Sequence, residues 1–285
     1  MRLWWVPLFV AIALGACRRP PDASAREYTL EGQILAVRPE RSEVIIKHGD
    51  IKGFMPGMTM PFKVNDAALL KDKAPGDLVK ATLVVGEVEA HLSTLTKTGH
   101  VTPDAPPPAP PLDIRQPGEP IADAHLIDQD GKPVAFSSFR GHRVAITFIY
   151  TRCPLPDFCP LMDKHFADVQ KTLAATPALA DVRLVTVTLD PAFDTPKVLN
   201  AHAKRQGADF TRWTFLTGDP PEVNQFGSQL GIYVEHSPTE SSTITHNLRT
   251  AVIDPDGRLV TIHTGNDWTP AELVADLKAT RAPTH

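Results

Sequence analysis

A proline-rich segment near the middle of the chain places the strongest constraint on what this sequence can fold into. Between Val101 and Pro111 the chain holds mainly prolines and small or polar residues. Such a segment cannot bury apolar surface, and it forms a semi-rigid polyproline II spacer of about 3 Å per residue. The spacer predicts that the 285 residues form two domains, because each flanking part is long enough for a core of its own.

The part before the spacer predicts a small all-β domain. Two strands at 28–37 and 43–48 flank a charged turn, and a hairpin follows over 78–85 and 88–96. The residue pattern indicates no helix longer than about two turns in this part. A small β-barrel is therefore the simplest fold for it.

The part after the spacer predicts an α/β domain. Its apolar, β-branched runs are typical of buried parallel strands, and helical segments alternate with them. The predicted order is strand 144–150, helix 163–173, strand 182–189, helix 196–206, a hairpin over 251–260 and a helix 270–280 capped by Thr269. This order is that of a thioredoxin-like fold.

The N-terminus has the features of a secretory signal. A basic Met1-Arg2 start precedes an apolar run over 3–14, which is too short to span a bilayer as a helix. The run ends in the motif L-G-A-C at Cys17, which resembles the lipobox of bacterial lipoproteins. This resemblance implies cleavage after residue 16, lipidation of Cys17, and a location in the bacterial periplasm or on the outer face of the membrane. A plain signal peptide with a chance cysteine is the alternative.

The charge balance gives no sign of a nucleic-acid partner. The 29 Lys and Arg residues nearly balance 33 Asp and Glu residues, which leaves a net charge of -4. Nucleic-acid binding domains carry a basic stripe or patch, and this composition does not indicate one. We therefore predict no nucleic-acid binding.

Three of the five methionines lie in one short segment after the second predicted strand. Met58 and Met60 are two residues apart, so both side chains leave the same face of a strand, and His48 ends the preceding strand. Thioethers select Cu(I) or Ag(I) over hard cations, and imidazole completes such a site. With Met55 close by, the segment predicts a soft-metal site, although core packing is the common role of methionine.

This segment and the stretch from Tyr28 to Lys97 resemble the periplasmic copper-binding domains similar to CusF, which are small OB-like barrels. The resemblance implies copper ligands at His48, Met58 and Met60. Where the best-known member caps the metal with a tryptophan, this sequence places Met55, which the resemblance makes a further ligand. The histidine and the methionine pair are also one residue closer here.

The two remaining cysteines lie between a strand and a helix. Cys159 falls at the predicted helix start, and Pro160 suits the first helical position. The amide groups and partial positive charge there predict a lowered pKa for Cys159. Five residues separate it from Cys153. Two thiolates at such a loop can exchange with a disulfide or bind a soft metal. An inert structural disulfide is the remaining alternative.

From about Ile121 onward the chain resembles the SCO/SenC family of copper chaperones for cytochrome oxidase. The motifs that carry the resemblance recur in order along the chain: Leu126-Ile127-Asp128-Gln129-Asp130-Gly131-Lys132, Phe139-Arg140-Gly141, Tyr150-Thr151-Arg152-Cys153-Pro154, Thr186-Val187-Thr188-Leu189-Asp190-Pro191, Asp194-Thr195-Pro196 and Trp213-Thr214-Phe215-Leu216-Thr217-Gly218.

The SCO/SenC resemblance implies a copper site formed by Cys153, Cys159 and one distant histidine, for which His246 is in register. Two thiolates and a neutral imidazole suit Cu(I) or Cu(II). This chain departs from the family pattern in having five residues between the cysteines, where most members have three. A mainly redox role for the pair therefore stays open.

The sequence thus predicts a multidomain protein, with a small all-β OB-like barrel followed by an α/β thioredoxin-like domain. The expected segments are a lipoprotein signal (1–16), a membrane tether (17–26), the barrel (27–101), a proline-rich linker (102–120) and the thioredoxin-like domain (121–285).

The leading hypothesis is an extracytoplasmic copper metallochaperone. Its Met/His site would capture Cu(I), and its Cys/Cys/His site would deliver copper or electrons to the binuclear copper centre of a cytochrome oxidase. The expected partners are the oxidase copper subunit and other periplasmic copper carriers or thiol reductants. The alternatives are a thiol-disulfide oxidoreductase with Cys153 and Cys159 as its catalytic pair, and a periplasmic copper-resistance protein. A peroxiredoxin is disfavoured. That family's pattern has a threonine three residues before the reactive cysteine, whereas Thr151 lies two residues before Cys153.

Overall fold

The computed structural model describes residues 24–102, 113–236 and 244–281. The predicted signal segment, the predicted lipidation site Cys17 and most of the proline-rich spacer lie outside these ranges. The described chain forms an all-β part followed by an α/β part, so the predicted multidomain order is confirmed. Among the described residues, no helix has the length and apolarity needed to cross a membrane.

The first domain is a curled antiparallel sheet. In the described chain its strands are β1 (Arg26–Arg38), β2 (Glu43–His48), β3 (Met58–Lys63), β4 (Asp77–Val85) and β5 (Ala90–His100), in the spatial order β3-β2-β1-β4-β5. The register of β1 against β2 shifts between Ile34 and Ala36, and such a bulge bends a strand. A bridge between Val64 and Leu92 joins the two ends of the sheet, which closes it into a barrel.

The barrel core is built from alternate residues of these strands. Leu30 and Ile34 of β1 are fully buried, as are Val44 and Ile46 of β2. A period of two places such residues on one face of a strand. Because this face is closed off by the curled sheet, the small domain has a core of its own.

The second domain is a mixed sheet covered by helices on both faces. Its elements within the described residues are β6 (His125–Asp128), β7 (Pro133–Ala135), β8 (Val144–Ile149), α1 (Cys159–Ala174), β9 (Arg183–Thr188), α2 (Pro196–Arg205), β10 (Trp213–Thr217), α3 (Pro220–Gln229), β11 (Val234–His236), β12 (Ile244–His246), β13 (Arg249–Ile253), β14 (Leu259–Thr264) and α4 (Pro270–Ala279). The main sheet has the order β14-β13-β8-β9-β10-β6-β7.

The centre of this sheet is parallel. Strand β9 pairs in parallel with β8 on one side and with β10 on the other. Helices α1, α2 and α4 pack on one face of the sheet and α3 packs on the other. Each face of the sheet has its own buried apolar cluster. Strand β8 is buried along its whole length, which is why its sequence is largely apolar.

Several element boundaries follow the sequence prediction closely. Strand β2 has the predicted bounds, and α4 begins after Thr269, whose side chain forms a capping box with Glu272. Helix α1 begins at Cys159, four residues before the predicted start at Asp163. The structure adds elements that the sequence analysis did not predict, namely the β6–β7 hairpin, β10, α3 and the small β11–β12 pair.

The two domains contact each other. Leu155, from the loop between β8 and α1, is buried in the core of the barrel rather than in its own domain. Asp267 of the second domain forms ion pairs with Arg41 at 2.5 Å and with Lys63 at 3.5 Å. A cavity of about 310 Å³ lies between the domains, and both Met60 and His246 line it.

Residues 113–120, the described end of the predicted linker, lie on the second domain. The backbone N–H of Arg115 donates to the carbonyl oxygen of Gln229 at 2.9 Å, and that of Gly118 donates to Leu259 at 2.7 Å. This end of the segment is therefore attached to the α/β fold.

Candidate metal centres

Two of the predicted barrel ligands face each other across a strand pair. His48 at the end of β2 is the direct partner of Met58 at the start of β3, and Met60 is the partner of Ile46. Opposed residues of antiparallel strands project to the same face, as do residues two apart on one strand. His48, Met58 and Met60 therefore share one face of the sheet. On this face His48 and Met60 are buried and Met58 is half-buried.

Glycines allow the backbone to approach His48 closely. A Cβ atom at Gly57, just before β3, would lie 2.9 Å from the carbonyl oxygen of His48. At Gly32 of β1 a Cβ atom would lie 2.5 Å from the carbonyl oxygen of Lys47. The carboxylate of Asp50 also accepts a hydrogen bond from the backbone N–H of Gly57 at 2.7 Å. The β2–β3 loop is thereby held against His48.

The ring of His48 has one nitrogen available as a ligand. Its Nδ1 lies 2.7 Å from the carbonyl oxygen of Gly49. A carbonyl oxygen only accepts, so Nδ1 carries the proton and Nε2 keeps its lone pair. Nε2 is buried without a hydrogen-bond partner in the described part of the chain. Burial also lowers the pKa of His48, which favours the neutral form that binds metal.

Met55 lies in the barrel core. Its backbone forms a bridge with Ile51, with N···O distances of 2.8 and 3.1 Å. Its side chain belongs to the same buried cluster as Met60. The neighbouring Phe54 stacks on Tyr28 with ring centroids 4.4 Å apart. The assignment of Met55 as a further ligand stays a prediction.

The two cysteines are neighbours and differ in their protonation. Both are free thiols in the structure. The thiol of Cys159 hydrogen bonds with the sulfur of Cys153 and lowers the pKa of Cys153. Burial raises the pKa of Cys159 well above its usual value. Cys153 is therefore the more acidic thiol of the pair, and Cys159 is the less acidic one.

The predicted lowering of the Cys159 pKa is wrong, although its position at the start of α1 is correct. Cys159 is only 1% exposed. The free energy needed to remove a thiolate from water exceeds the stabilisation that the helix N-terminus provides, so the pKa rises. Cys153 is half-buried and accepts a hydrogen bond. The sequence pattern predicted the lowered pKa at Cys159, whereas the structure lowers the pKa of Cys153.

His246 lies at the end of β12 and presents a free nitrogen in the same way as His48. Its Nδ1 is 2.9 Å from the carbonyl oxygen of Asn247, so Nδ1 donates and Nε2 keeps its lone pair. Metal-binding histidines are commonly oriented by such a hydrogen bond. Burial lowers the pKa of His246 and keeps the ring neutral.

Tyr150 contacts both parts of the predicted Cys/Cys/His set. Its ring meets His246 edge-on with centroids 5.4 Å apart, and its hydroxyl hydrogen bonds with Cys153. Among the described residues, no three His, Cys, Asp or Glu side chains are close enough to hold one metal ion. The structure brings the two cysteines together but leaves His246 beside Tyr150. Binding by all three groups therefore requires a rearrangement around Tyr150.

Polar groups to which the sequence analysis gave no role in the site hold the cysteine loop. The Asp194 carboxylate accepts hydrogen bonds from the backbone N–H of Thr151 at 3.1 Å, from its hydroxyl, and from the hydroxyl of Thr188 at 2.6 Å. At the other end, Asn266 Nδ2 donates to the carbonyl oxygen of Asp157 at 2.6 Å. The D-T-P motif marked Asp194 in the sequence, but only the fold brings it to Thr151.

The donor atoms present fit a soft monovalent metal. The barrel offers two thioethers beside an imidazole nitrogen that is buried and without a partner. The second domain offers a thiolate, a neighbouring thiol and a half-buried imidazole. Thioether, thiolate and imidazole are the ligands that Cu(I) prefers in proteins, and hard oxygen donors are absent from both predicted ligand sets.

Family models match both domains. A model described as SCO1/SenC matches residues 115–282, and one described as the copper binding periplasmic protein CusF matches residues 27–97. Both resemblances predicted from the sequence motifs are thereby confirmed.

Relatives match the second domain. The SCO1 protein homolog of Bacillus subtilis is 31% identical over 154 residues, which cover 53% of this chain and 78% of that protein. The mitochondrial SCO2 homolog of Homo sapiens is 29% identical over 167 residues, which cover 57% of this chain and 60% of that protein. A putative copper-binding protein of Stutzerimonas stutzeri is 29% identical, with 49% of this chain and 66% of that protein covered.

Solved structures share the fold of the second domain. The structure of a SCO1/SenC family lipoprotein from Bacillus anthracis superposes with a TM-score of 0.52 at 24% identity. It covers 58% of this chain and 98% of that one. This likeness confirms the predicted thioredoxin-like architecture of the second domain.

Proposed function

Because the chain belongs to the SCO1/SenC family, we propose that it is an extracytoplasmic copper metallochaperone for the binuclear copper centre of a cytochrome oxidase. In this proposal the chain is anchored to the membrane by lipid at Cys17. Copper is its cargo, and the copper subunit of the oxidase is its acceptor. The match of the first domain to a copper binding periplasmic protein supports the same cargo and compartment.

The observation that carries the proposal is the presence of two soft-donor sites with matched histidines in one chain. His48 and His246 each donate Nδ1–H to the carbonyl oxygen of the next residue and keep Nε2 free. Each lies near sulfur, from Met58 and Met60 in the barrel and from Cys153 beyond Tyr150 in the second domain. A single site would suffice for storage, whereas two sites of different sulfur type suit capture followed by delivery.

The barrel is the proposed capture site. Thioethers carry no proton and do not form disulfides, so His48, Met58 and Met60 keep their ligand strength in an oxidising compartment. The Cys153 thiolate and the Cys159 thiol form the proposed delivery site, where Cys159 loses its proton to water on binding Cu(I). Thiolate binds Cu(I) more tightly than thioether, which gives the transfer its direction.

A thiol-disulfide oxidoreductase is the second candidate. The unequal pKa values of Cys153 and Cys159 and the position of His246 beside Tyr150 favour it. The Cys153 thiolate would attack a disulfide formed by the oxidase's copper-binding cysteines and form a mixed disulfide. Cys159 would then displace the substrate thiol, so that two electrons pass to the oxidase and the loop becomes oxidised.

The experiment that tests the proposal uses the soluble copper domain of an oxidase subunit as acceptor. The copper-loaded chain is mixed with the reduced acceptor, and the metal-free reduced chain is mixed with the disulfide form. Copper found on the acceptor after the two proteins of the first mixture are separated supports the metallochaperone. If instead the acceptor gains two thiols in the second mixture while Cys153 and Cys159 form a disulfide, and no copper moves in the first mixture, the oxidoreductase replaces the metallochaperone.

A further inference from the structure

The cysteine loop carries an apolar anchor that does not serve its own domain. Five residues separate Cys153 from Cys159, and the second of them is Leu155. Leu155 is 4% exposed and packs in the core of the barrel, in the same cluster as Met55 and Met60. Burying a leucine side chain is worth about 2 kcal/mol, and here that energy holds the loop on the other domain.

The sulfur of the loop lies where the two cores meet. Cys153 and Phe158 are half-buried, and each packs against both the barrel core and the core formed by α1 and the sheet. The barrel cluster that they contact contains Met60, with Met58 at its edge. The proposed accepting thiolate is therefore in contact with the group of residues that carries the proposed capture ligands.

Polar contacts fix the register of this docking. The carboxylate of Asp267 pairs with Arg41 and Lys63 of the barrel at 2.5 and 3.5 Å. The carboxylate of Asp157 accepts a hydrogen bond from the backbone N–H of Ala90, at the start of β5. These contacts join the same two domains that Leu155 joins.

The cavity between the domains is lined by one predicted ligand from each site. It measures about 310 Å³, and its lining includes Met60 and Phe62 from the barrel and Phe158 and His246 from the second domain. This space is larger than a monovalent metal ion needs. It gives side chains on both sides room to change rotamer while the domains stay in contact.

We propose that this docked arrangement is the state in which the barrel hands its Cu(I) to the thiols, and that Leu155 is the device that holds it. The inference rests on the proposed function and adds the route. Copper passes from Met58 and Met60 to Cys153 within one chain and is not released into water. The metal remains Cu(I) throughout, thioether and imidazole ligands are exchanged for sulfur, and the Cys159 proton leaves to solvent.

The first test asks whether Leu155 holds the domains together. The chain is prepared without residues 1–16 and with Cys17→Ser, free of metal, as wild type, Leu155→Ser and the matched control Ile127→Ser. Ile127 is an exposed apolar residue of β6, 38% accessible. Small-angle X-ray scattering of wild type and control should give a compact particle. The longest dimension of Leu155→Ser should increase by roughly 20–30 Å, the reach of the proline-rich spacer at about 3 Å per residue.

The second test follows the copper. Each chain is oxidised to the Cys153–Cys159 disulfide and given one equivalent of Cu(I), which only the barrel can then hold. A phosphine reductant is added together with a chromophoric Cu(I) chelator, after the loss to chelator without reductant has been recorded. In wild type the fraction of the Cu(I) that the chelator captures should be small and independent of the chelator concentration. In Leu155→Ser it should rise about fivefold or more, because docking no longer keeps the acceptor at high effective concentration.

Equal scattering curves for wild type and Leu155→Ser would overturn the anchor, and equal chelator capture would overturn the direct route. Both results leave the proposed function standing if each chain still binds two equivalents of Cu(I). If Leu155→Ser is misfolded by circular dichroism, Asp267→Lys tests the same docking through its ion pairs. Combining Asp267→Lys with Arg41→Glu and Lys63→Glu should restore the compact particle, and failure to restore it would also contradict the proposal.

Discussion

In the barrel, His48 donates Nδ1–H to the carbonyl oxygen of Gly49, and in the second domain His246 does the same to Asn247. The two regions then differ in their sulfur. The barrel presents the thioethers of Met58 and Met60, which have no proton to lose. The second domain presents a thiolate and a buried thiol whose pKa values move in opposite directions. In the proposed function, the same histidine arrangement therefore serves one site whose sulfur ligands do not depend on redox state and a second site whose thiols do.

The sharpest way to break this comparison is to test the inequality of the thiols. Iodoacetamide should label Cys153 about a hundredfold faster than Cys159 near neutral pH, because the pKa of Cys153 is lowered and Cys159 is buried. Mass spectrometry of quenched samples measures both rates in the reduced chain. The Cys159→Ser variant should still label rapidly and Cys153→Ser slowly. Equal labelling rates for Cys153 and Cys159 in the wild type would contradict the difference between the two thiols.

The barrel site is tested in a background without thiols. In Cys153→Ser/Cys159→Ser, replacement of His48 by Ala should weaken Cu(I) binding about 100-fold, or roughly 2.7 kcal/mol, since the free Nε2 ligand is lost. Competition against a chromophoric chelator measures the change. Lys47→Ala is the matched control, because Lys47 is the exposed neighbour of His48 on β2. A control and a variant of equal affinity would exclude His48 as a ligand.

The hydrogen bonds of Asp194 that hold the cysteine loop should stabilise the second domain alone. Asp194→Ala removes the acceptor for Thr151 and Thr188 and should reduce the unfolding free energy of that domain by about 2–3 kcal/mol. Trp213 and Trp268 are the only tryptophans after residue 16, so tryptophan fluorescence during urea unfolding reports this domain. Asp168→Ala, in an exposed pair with Lys171, should change the value by less than about 0.5 kcal/mol.

The smallest expected effect concerns acid sensitivity of the barrel. Hydrogen bonds from Lys97 and His100 hold the pKa of the buried Asp77 well below its usual value. A lowered pKa in the folded state stabilises the fold above the unfolded pKa of about 4, and this stabilisation is lost progressively as the pH falls below that value towards the folded-state pKa. Asp77→Asn should therefore lower barrel stability at neutral pH and flatten its loss on acidification. The amide NMR signals of β4 and β5 measure the barrel stability at neutral pH and its loss on acidification. If stability changes with pH in the same way in the variant and the wild type, the role of Asp77 is contradicted.

How much of this could be predicted from the sequence differs between the domains. Strand β2 and helices α2 and α4 were predicted within one residue or so, because their periodicity or capping residues are local signals. Helix α3 was missed since its segment begins with a Pro-Pro pair and contains Gly227, which are typical of loops. Its interior position is set by Val223 and Phe226 packing on the sheet, which is a tertiary effect.

The candidate sites divide in a similar way. The residue types of His48, Met58 and Met60 and their two-residue spacing are local, so the strand face that they share could be predicted. The thiolate could not be assigned to Cys153, because that assignment depends on the complete burial of Cys159 beneath the loop. The docking of Leu155 in the barrel could not be predicted either, since a leucine between two prolines gives no local sign of the domain that buries it.

The central claim is that one chain holds two soft-metal sites, and a competitive Cu(I) titration tests it most directly. The reduced chain without residues 1–16, carrying Cys17→Ser, is titrated against a chromophoric chelator beside its His246→Ala variant. The account predicts two equivalents in the wild type, with the second lost or weakened in the variant. A single equivalent in both chains would contradict it, because copper would then belong to the barrel alone and the cysteine loop would serve thiol chemistry.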